Sequence, residues 1–319
     1  MIVTLTPNPS IDRTVVLAGP LERGEVQRCS DTFDHPGGKG VNVAGVVHHG
    51  GERALAVLPG DDADPFVALL RGTGLPHRTV PVGGTVRVNL TVSEPSGVTT
   101  KINAAGPLID EDLRATLAEE VAASASDARW VVLCGSLPPG VPDSWYAELV
   151  ARLSRPGLQV AVDTSGAALA ATLDTDGPLP ALVKPNGEEL ASVAGGDAEE
   201  IEADPRAGVE AARRLLARGV GRVLLTQGGH GAVLVTPEGA WRAPVPRITP
   251  ISTVGAGDSA LAGYLLGDLR GLSEPDRLAL AVAYGSAAAS LPGSQTPTPR
   301  DLPERTVAEA VEGAAPSAS

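Results

Sequence analysis

Near the C-terminal end, Thr253-Val254-Gly255-Ala256-Gly257-Asp258-Ser259 leads into the apolar run Ala260-Leu261-Ala262-Gly263-Tyr264-Leu265-Leu266. Such a turn opens a helix with bare backbone amides and places a carboxylate among them. Two glycines let the backbone close on an anion, and the unpaired N–H groups and positive dipole end of the helix favour negative charge there. Asp258 is the odd member. A carboxylate beside a bound phosphate is electrostatically awkward unless it accepts the proton of an attacking hydroxyl. Two plainer readings compete: an acidic residue in a first turn compensates the helix dipole, and Gly255 to Ala260 fits a dinucleotide fingerprint. The fingerprint needs a clean hydrophobic strand before it, whereas Pro244, Pro246 and Pro250 crowd this approach.

A second glycine site, Pro36-Gly37-Gly38-Lys39-Gly40-Val41-Asn42, also precedes an apolar helical stretch. It is no P-loop, because no Gly stands four residues ahead of the Gly-Lys pair and no Ser or Thr follows the Lys. Close backbone approach to a hydroxyl-rich ligand, with Lys39 and Asn42 as polar contacts, is one use; a plain turn and helix cap is the other.

The elements that must hold these turns read as one large globular unit. The 319 residues are 43% hydrophobic and 20% charged, enough for a substantial core, and with only 3% aromatics that core is built from Val, Leu and Ala. A net charge of −13 without a basic block argues against nucleic acid as partner, so an anionic substrate must meet a locally cationic pocket. Cys29 and Cys134 stand alone, which indicates neither a zinc site nor a disulfide framework. No basic leader precedes the first apolar run and no run is long enough to span a bilayer, so a cytoplasmic protein is expected.

Short apolar runs alternate with amphipathic stretches, the rhythm of βαβ units around a mainly parallel sheet. Strands are expected at 2–6, 54–58, 130–134, 159–162, 181–183 and 222–226, with 232–235 returning antiparallel. Helices are expected at 110–123, 144–153, 209–217 and 276–289. Segments 13–33 and 81–102 break the pattern as β-rich insertions and predict a small sheet standing off as a lid. The α/β core then comprises 1–12, 34–80 and 103–305, and 306–319 is expected to fray.

Four dispersed motifs now stand in one order: Thr6-Pro7-Asn8-Pro9-Ser10-Ile11-Asp12, Gly37 to Asn42, Lys184-Pro185-Asn186-Gly187-Glu188-Glu189-Leu190 and Thr253 to Asp258. Together they closely resemble the ribokinase-like sugar kinases of the phosphofructokinase B family, over essentially the whole chain. The resemblance implies a Rossmann-like α/β domain with a β lid, ATP and Mg²⁺ as cosubstrates, and phosphorylation of a sugar hydroxyl. It implies Asp258 as the base and Gly255, Ala256 and Gly257 as the anion hole for the moving phosphoryl group, where fixed N–H dipoles meet developing charge. Asp12, Gly38, Lys39 and Asn42 resemble positions that hold sugar hydroxyls. Lys184, Thr226, Gly228 and Gly231 resemble the nucleotide side, with Ala283–Ala289 as a small-residue wall near the adenine. Asn186 and Glu189 match an N-x-x-E pair that acts on Mg²⁺ through water, although alone they read as a helix cap.

Within that family Arg87, Lys101 and Ser136 match the positions that hold the phosphate of a phosphorylated acceptor. Without the resemblance they would be solvated edge charges and a loop hydroxyl. Thr99-Thr100-Lys101-Ile102-Asn103 with Gly106-Pro107 resembles most the branch that phosphorylates fructose 1-phosphate at O6. Ala104-Ala105 depart from the Glu-Pro common there, and kinases for tagatose 6-phosphate and fructose 6-phosphate share nearly the same residues. A non-catalytic sugar or nucleotide sensor on the same scaffold would not need Asp258, the glycine amides and the N-x-x-E pair together. The family also implies a homodimer joined through the lid strands.

Overall fold

The computed structural model describes residues 1–304 and 306–311. The first half runs β1 (Ile2–Leu5), β2 (Ser10–Leu17), β3 (Cys29–Gly37), α1 (Lys39–His49), β4 (Ala54–Pro59), α2 (Pro65–Gly72), β5 (His77–Val80), β6 (Arg87–Ser93), β7 (Thr99–Asn103), α3 (Glu111–Ser124), β8 (Trp130–Cys134) and α4 (Trp145–Leu153). The second half runs β9 (Gln159–Asp163), α5 (Gly166–Leu173), β10 (Leu182–Val183), α6 (Gly187–Ala194), α7 (Ala198–Ala203), α8 (Pro205–Ala217), β11 (Val223–Thr226), β12 (Ala232–Thr236), β13 (Gly239–Ala243), α9 (Ala256–Leu269), α10 (Glu274–Ala289) and β14 (Glu309–Ala310).

Ten strands form one sheet in the order β14-β13-β12-β11-β10-β9-β8-β1-β4-β5, parallel from β5 through β11 and antiparallel beyond. Side chains on a strand alternate between faces, so each strand feeds two cores. On one face Val3, Leu5, Val131, Leu133, Val160 and Val162 pack under α3, α4, α6 and α8. On the other, Ile2, Trp130, Val132, Ala161 and Leu224 pack under α1, α2, α9 and α10. Aliphatic residues and a few fully buried rings such as Trp130, Tyr146 and Tyr264 fill both layers. Burying each Val or Leu contributes roughly 1.5–3 kcal/mol.

Local chemistry sets the helix ends. Asp64, Asp110, Asp197, Asp204 and Ser273 each accept a backbone N–H in the first turn of the helix they precede, satisfying donors that would otherwise be orphaned. Helices α1 and α9 differ. They start at Gly38 (φ 124°) and Gly255 (φ 76°), conformations that favour glycine, and neither has a side-chain cap. In α9 the first N–H group, that of Ala256, turns back to Thr253 O at 3.3 Å. The far end of α9 is pinned, because Asp268 accepts from Arg129 Nε at 2.6 Å and Trp130 Nε1 at 2.8 Å and pairs with Arg277 at 3.0 Å. Burial works to raise the Asp268 pKa, but those donors outweigh it and hold it below the usual range.

A separate four-stranded sheet has the order β3-β2-β6-β7. Its ladder extends past the expected insertion limits of 13–33, since Ser10 pairs with Gly37 and Asp12 with His35 and so carry it into the glycine turn. The expectation of a frayed 306–319 tail gives way in part. Glu309 and Ala310 pair with Arg242 and Trp241, and Val311 is only 8% exposed because it joins the core under α8. The rest of that segment lies outside the described residues. Among those described, no helix is long and apolar enough to cross a membrane.

Candidate active site

Parallel strands end their carbonyl-side edges in a common crevice, and α/β sheets bind ligands there. Asp163 ends β9, Lys184 follows β10, Thr226 ends β11, and the uncapped starts of α1 and α9 face the same edge. Gly38 is required twice over, by its φ and because a Cβ would come 2.7 Å from Thr6 Cγ2.

A compact charged cluster fills the centre. Asn42 Nδ2 donates to Asp258 Oδ2 at 2.8 Å, Lys39 Nζ donates to Asp163 Oδ1 at 2.9 Å, and Lys39 Nζ lies 3.7 Å from Asp258 Oδ1. Lys184 Nζ stands 3.4 Å from Asp163 Oδ2, and a Cβ on Gly257 would sit 3.2 Å from the same ammonium group. Asp258 is 7% exposed. Burial pushes its pKa up, the Lys39 charge and the Asn42 bond pull it down, Asp163 adds repulsion, and the balance is upward. That poises a carboxylate to take a proton. For Lys39 burial opposes the charge, yet Asp163 and Asp258 outweigh it and the pKa rises, keeping a cation in the crevice.

Asn186 and Glu189 form a reciprocal capping box at α6: Glu189 N donates to Asn186 Oδ1 at 2.7 Å and Asn186 N to Glu189 Oε2 at 2.9 Å. The cap and the metal readings are compatible. The box engages one carboxylate oxygen of Glu189, and that carboxylate's charge reaches Lys39. Oxygen donors of this kind suit a hydrated hard cation such as Mg²⁺. Thr226 is tied to this segment through its N–H to Pro185 O at 3.0 Å, and it bridges Asn186 as a parallel strand would. Gly228 (φ 51°) and Gly231 (φ 106°) shape the following turn, where a Cβ on Gly231 would overlap the Ala243 carbonyl.

The second cluster lies on the small sheet. Asp12 Oδ1 accepts from Ser10 Oγ at 2.7 Å and from Asn89 Nδ2 at 3.2 Å, and burial raises its pKa against those bonds and the nearby Arg87. Gly37 makes room for it, since a Cβ there would overlap the Asp12 carboxylate. Arg87 Nη1 donates to Ala104 O at 2.9 Å while its Nε is buried without a partner, a half-engaged guanidinium. Lys101 is exposed, opposite Thr91 in the register that sets Asn103 opposite Asn89 and Asn89 opposite Asp12. It therefore shares a face with Asp12 but no contact. Ser136 is exposed after β8.

The structure thus brings Asp258, Lys39, Asn42 and Lys184 together and leaves Arg87, Lys101 and Ser136 apart. Two residues absent from the sequence-based site link the pieces. Asp163 joins both lysines; its only signal was a carboxylate at the end of an apolar strand. Asn8, inside the first motif, donates to Ala105 O at 2.9 Å and to Ser136 Oγ at 3.4 Å, tying the 104–106 loop to Ser136.

Residues 5–301 match the family described as pfkB family carbohydrate kinase. The chain is 37% identical over 309 residues to a 1-phosphofructokinase of Rhodobacter capsulatus, covering 94% of both chains. Among solved structures, phosphofructokinase-2 from Escherichia coli in complex with fructose-6-phosphate superposes with TM-score 0.81 at 31% identity, covering 90% of this chain and 93% of that one. The tetrameric inhibited form of the same enzyme superposes with TM-score 0.83 at 32% identity over 94% and 96% of the two chains.

Proposed function

The chain belongs to the pfkB family of carbohydrate kinases, with the ribokinase-like fold, and on that premise we propose that it is a 1-phosphofructokinase: fructose 1-phosphate and ATP give fructose 1,6-bisphosphate and ADP. The observation that carries the transfer reading is the buried Asp258 carboxylate, bonded to Asn42 and set beside Lys39 at the uncapped start of α9.

In this reading Asp258 accepts the proton of the O6 hydroxyl as that oxygen forms its bond to the γ-phosphorus of ATP. The bond from that phosphorus to the β–γ bridging oxygen breaks, and ADP carries the electron pair away. The N–H groups of Gly255, Ala256 and Gly257 receive the charge spreading over the phosphoryl oxygens. Lys39 and Lys184 supply fixed positive charge on either side. Asp12, Gly38 and Asn42 hold sugar hydroxyls, and a carboxylate such as Asp12 accepts two hydroxyl hydrogen bonds at once. Arg87, Lys101 and Ser136 grip the acceptor's own phosphate. Thr226, Gly228 and Gly231 lie under the nucleotide. Bound with ATP, Mg²⁺ would neutralise phosphate charge, held by Asn186 and Glu189 through water.

Phosphorylation of fructose 6-phosphate or tagatose 6-phosphate at O1 is the second reading. It is favoured by Ala104-Ala105 and by the fructose-6-phosphate complex of the structural neighbour. The small sheet would act as a lid and as the joint of a cytoplasmic homodimer. The acceptor consumed separates the readings, because either fructose monophosphate gives the same bisphosphate. Fructose 1-phosphate plus ATP should yield a bisphosphate that an aldolase cleaves, and release of ADP without such a product would reject the assignment.

A further inference from the structure

Asp163 has no exposed side-chain surface, yet its two carboxylate oxygens face two ammonium groups from different parts of the chain. Lys39 opens α1 and Lys184 follows β10. Oδ1 accepts a hydrogen bond from Lys39, whereas Oδ2 makes only the 3.4 Å charge contact with Lys184. Both lysines also border the α9 turn, Lys39 at 3.7 Å from Asp258 Oδ1 and Lys184 with its Nζ where a Cβ on Gly257 would come within 3.2 Å. Burial favours a neutral Asp163, but the lysines outweigh it and keep the carboxylate ionised.

A lysine is a point charge on a long flexible stem, and an unheld one loses its geometry at the moment of transfer. We propose that Asp163 is the positioning residue of the transfer step, dividing one carboxylate between Lys39 and Lys184 so that both ammonium groups flank the Gly255–Asp258 turn. It binds neither sugar nor nucleotide and acts through the lysines. This extends the phosphoryl-transfer reading above, whichever sugar phosphate is the acceptor.

Asp163→Asn in the full chain tests it, assayed on whichever acceptor the parent turns over, so that failure of the fructose 1-phosphate assignment leaves the test intact. The expected result is a kcat lower by about 10²-fold with KM for both substrates within about threefold, the pattern of misplaced transfer groups rather than lost binding. Saturating Mg²⁺ should not restore it. Lys39→Met with Asp163→Asn should fall no further than the worse single variant, because the two act as one unit. Since the asparagine strands the buried Lys184 and the half-buried Lys39, Asp163→Glu is the second variant. It keeps the charge but displaces it, and it should lose kcat while melting within a few degrees of the parent. Parental kcat in either variant, recovery by Mg²⁺, a loss confined to KM, or multiplicative losses in the double variant would overturn the proposal.

Discussion

Asn42 donates to Asp258 at 2.8 Å across 216 residues of chain, joining the helix after the first glycine turn to the helix after the second. The bond favours the ionised carboxylate while burial, the largest influence, disfavours it, and the balance leaves the Asp258 pKa raised. A base must be ionised, so kcat/KM should fall as pH drops through that raised pKa. Asn42→Ala removes a donor to the charged form, raises the pKa further and moves the acid limb of the pH–rate profile to higher pH. Asp258→Asn should lower kcat by roughly 10²–10⁴ while ATP binding, read by calorimetry, persists. An acid limb unmoved in Asn42→Ala, or kcat within about threefold in Asp258→Asn, would remove the carboxylate from proton transfer.

Arg87 and Lys101 should hold the acceptor's phosphate through charge-assisted contacts worth about 1.5–3 kcal/mol each. Alanine at either position should therefore raise KM for a phosphorylated sugar roughly 10- to 150-fold and leave KM for ATP alone. Kinetics on phosphorylated and free fructose decide it. Equal losses on both sugars would place these residues elsewhere in the account.

Gly37→Ala probes the Asp12 pocket without touching a polar group. A methyl there overlaps the Asp12 carboxylate and drives it off Ser10 and Asn89. Loss of one hydrogen bond to a charged group, about 1.5–3 kcal/mol, should appear as a KM increase of at least tenfold for the sugar phosphate alone. An unchanged sugar KM would show that Asp12 does not contact the acceptor.

The small sheet leaves Val88 38% exposed and Ile102 58% exposed, apolar surface that a second copy of the sheet would cover. Val88→Lys with Leu90→Lys should turn a homodimer into monomers of weaker sugar-phosphate affinity, measured by light scattering with kinetics. The tetrameric form of the neighbouring phosphofructokinase-2 concerns that enzyme, and a parent protein that is monomeric and fully active at micromolar concentration would defeat the dimer.

The parallel sheet was legible because its strands are continuous apolar runs, Trp130–Cys134 being the plainest, and several helices because their faces are periodic. Shorter elements were not. The acidic α7 carries a single buried residue, Ile201, and β13 breaks its apolar pattern with Arg242, so neither announces itself by periodicity. Both glycine turns were visible, as was the N-x-x-E pair. Asp163 escaped because nothing local separates a strand-end carboxylate from a loop aspartate; its meaning comes from two lysines 124 residues before it and 21 after. Asn8 was quoted within a motif, but its link to Ser136 spans 128 residues and exists only in the fold.

The most direct test of the central claim is the ratio of kcat/KM for fructose 1-phosphate to that for fructose 6-phosphate, measured by ADP release with ATP and Mg²⁺ saturating. Tagatose 6-phosphate and free fructose complete the comparison. Fructose 1-phosphate should lead every other sugar by at least about tenfold, the value of one differential charge-assisted contact near 1.4 kcal/mol. Equal or better turnover of fructose 6-phosphate, or of unphosphorylated fructose, would contradict the assignment.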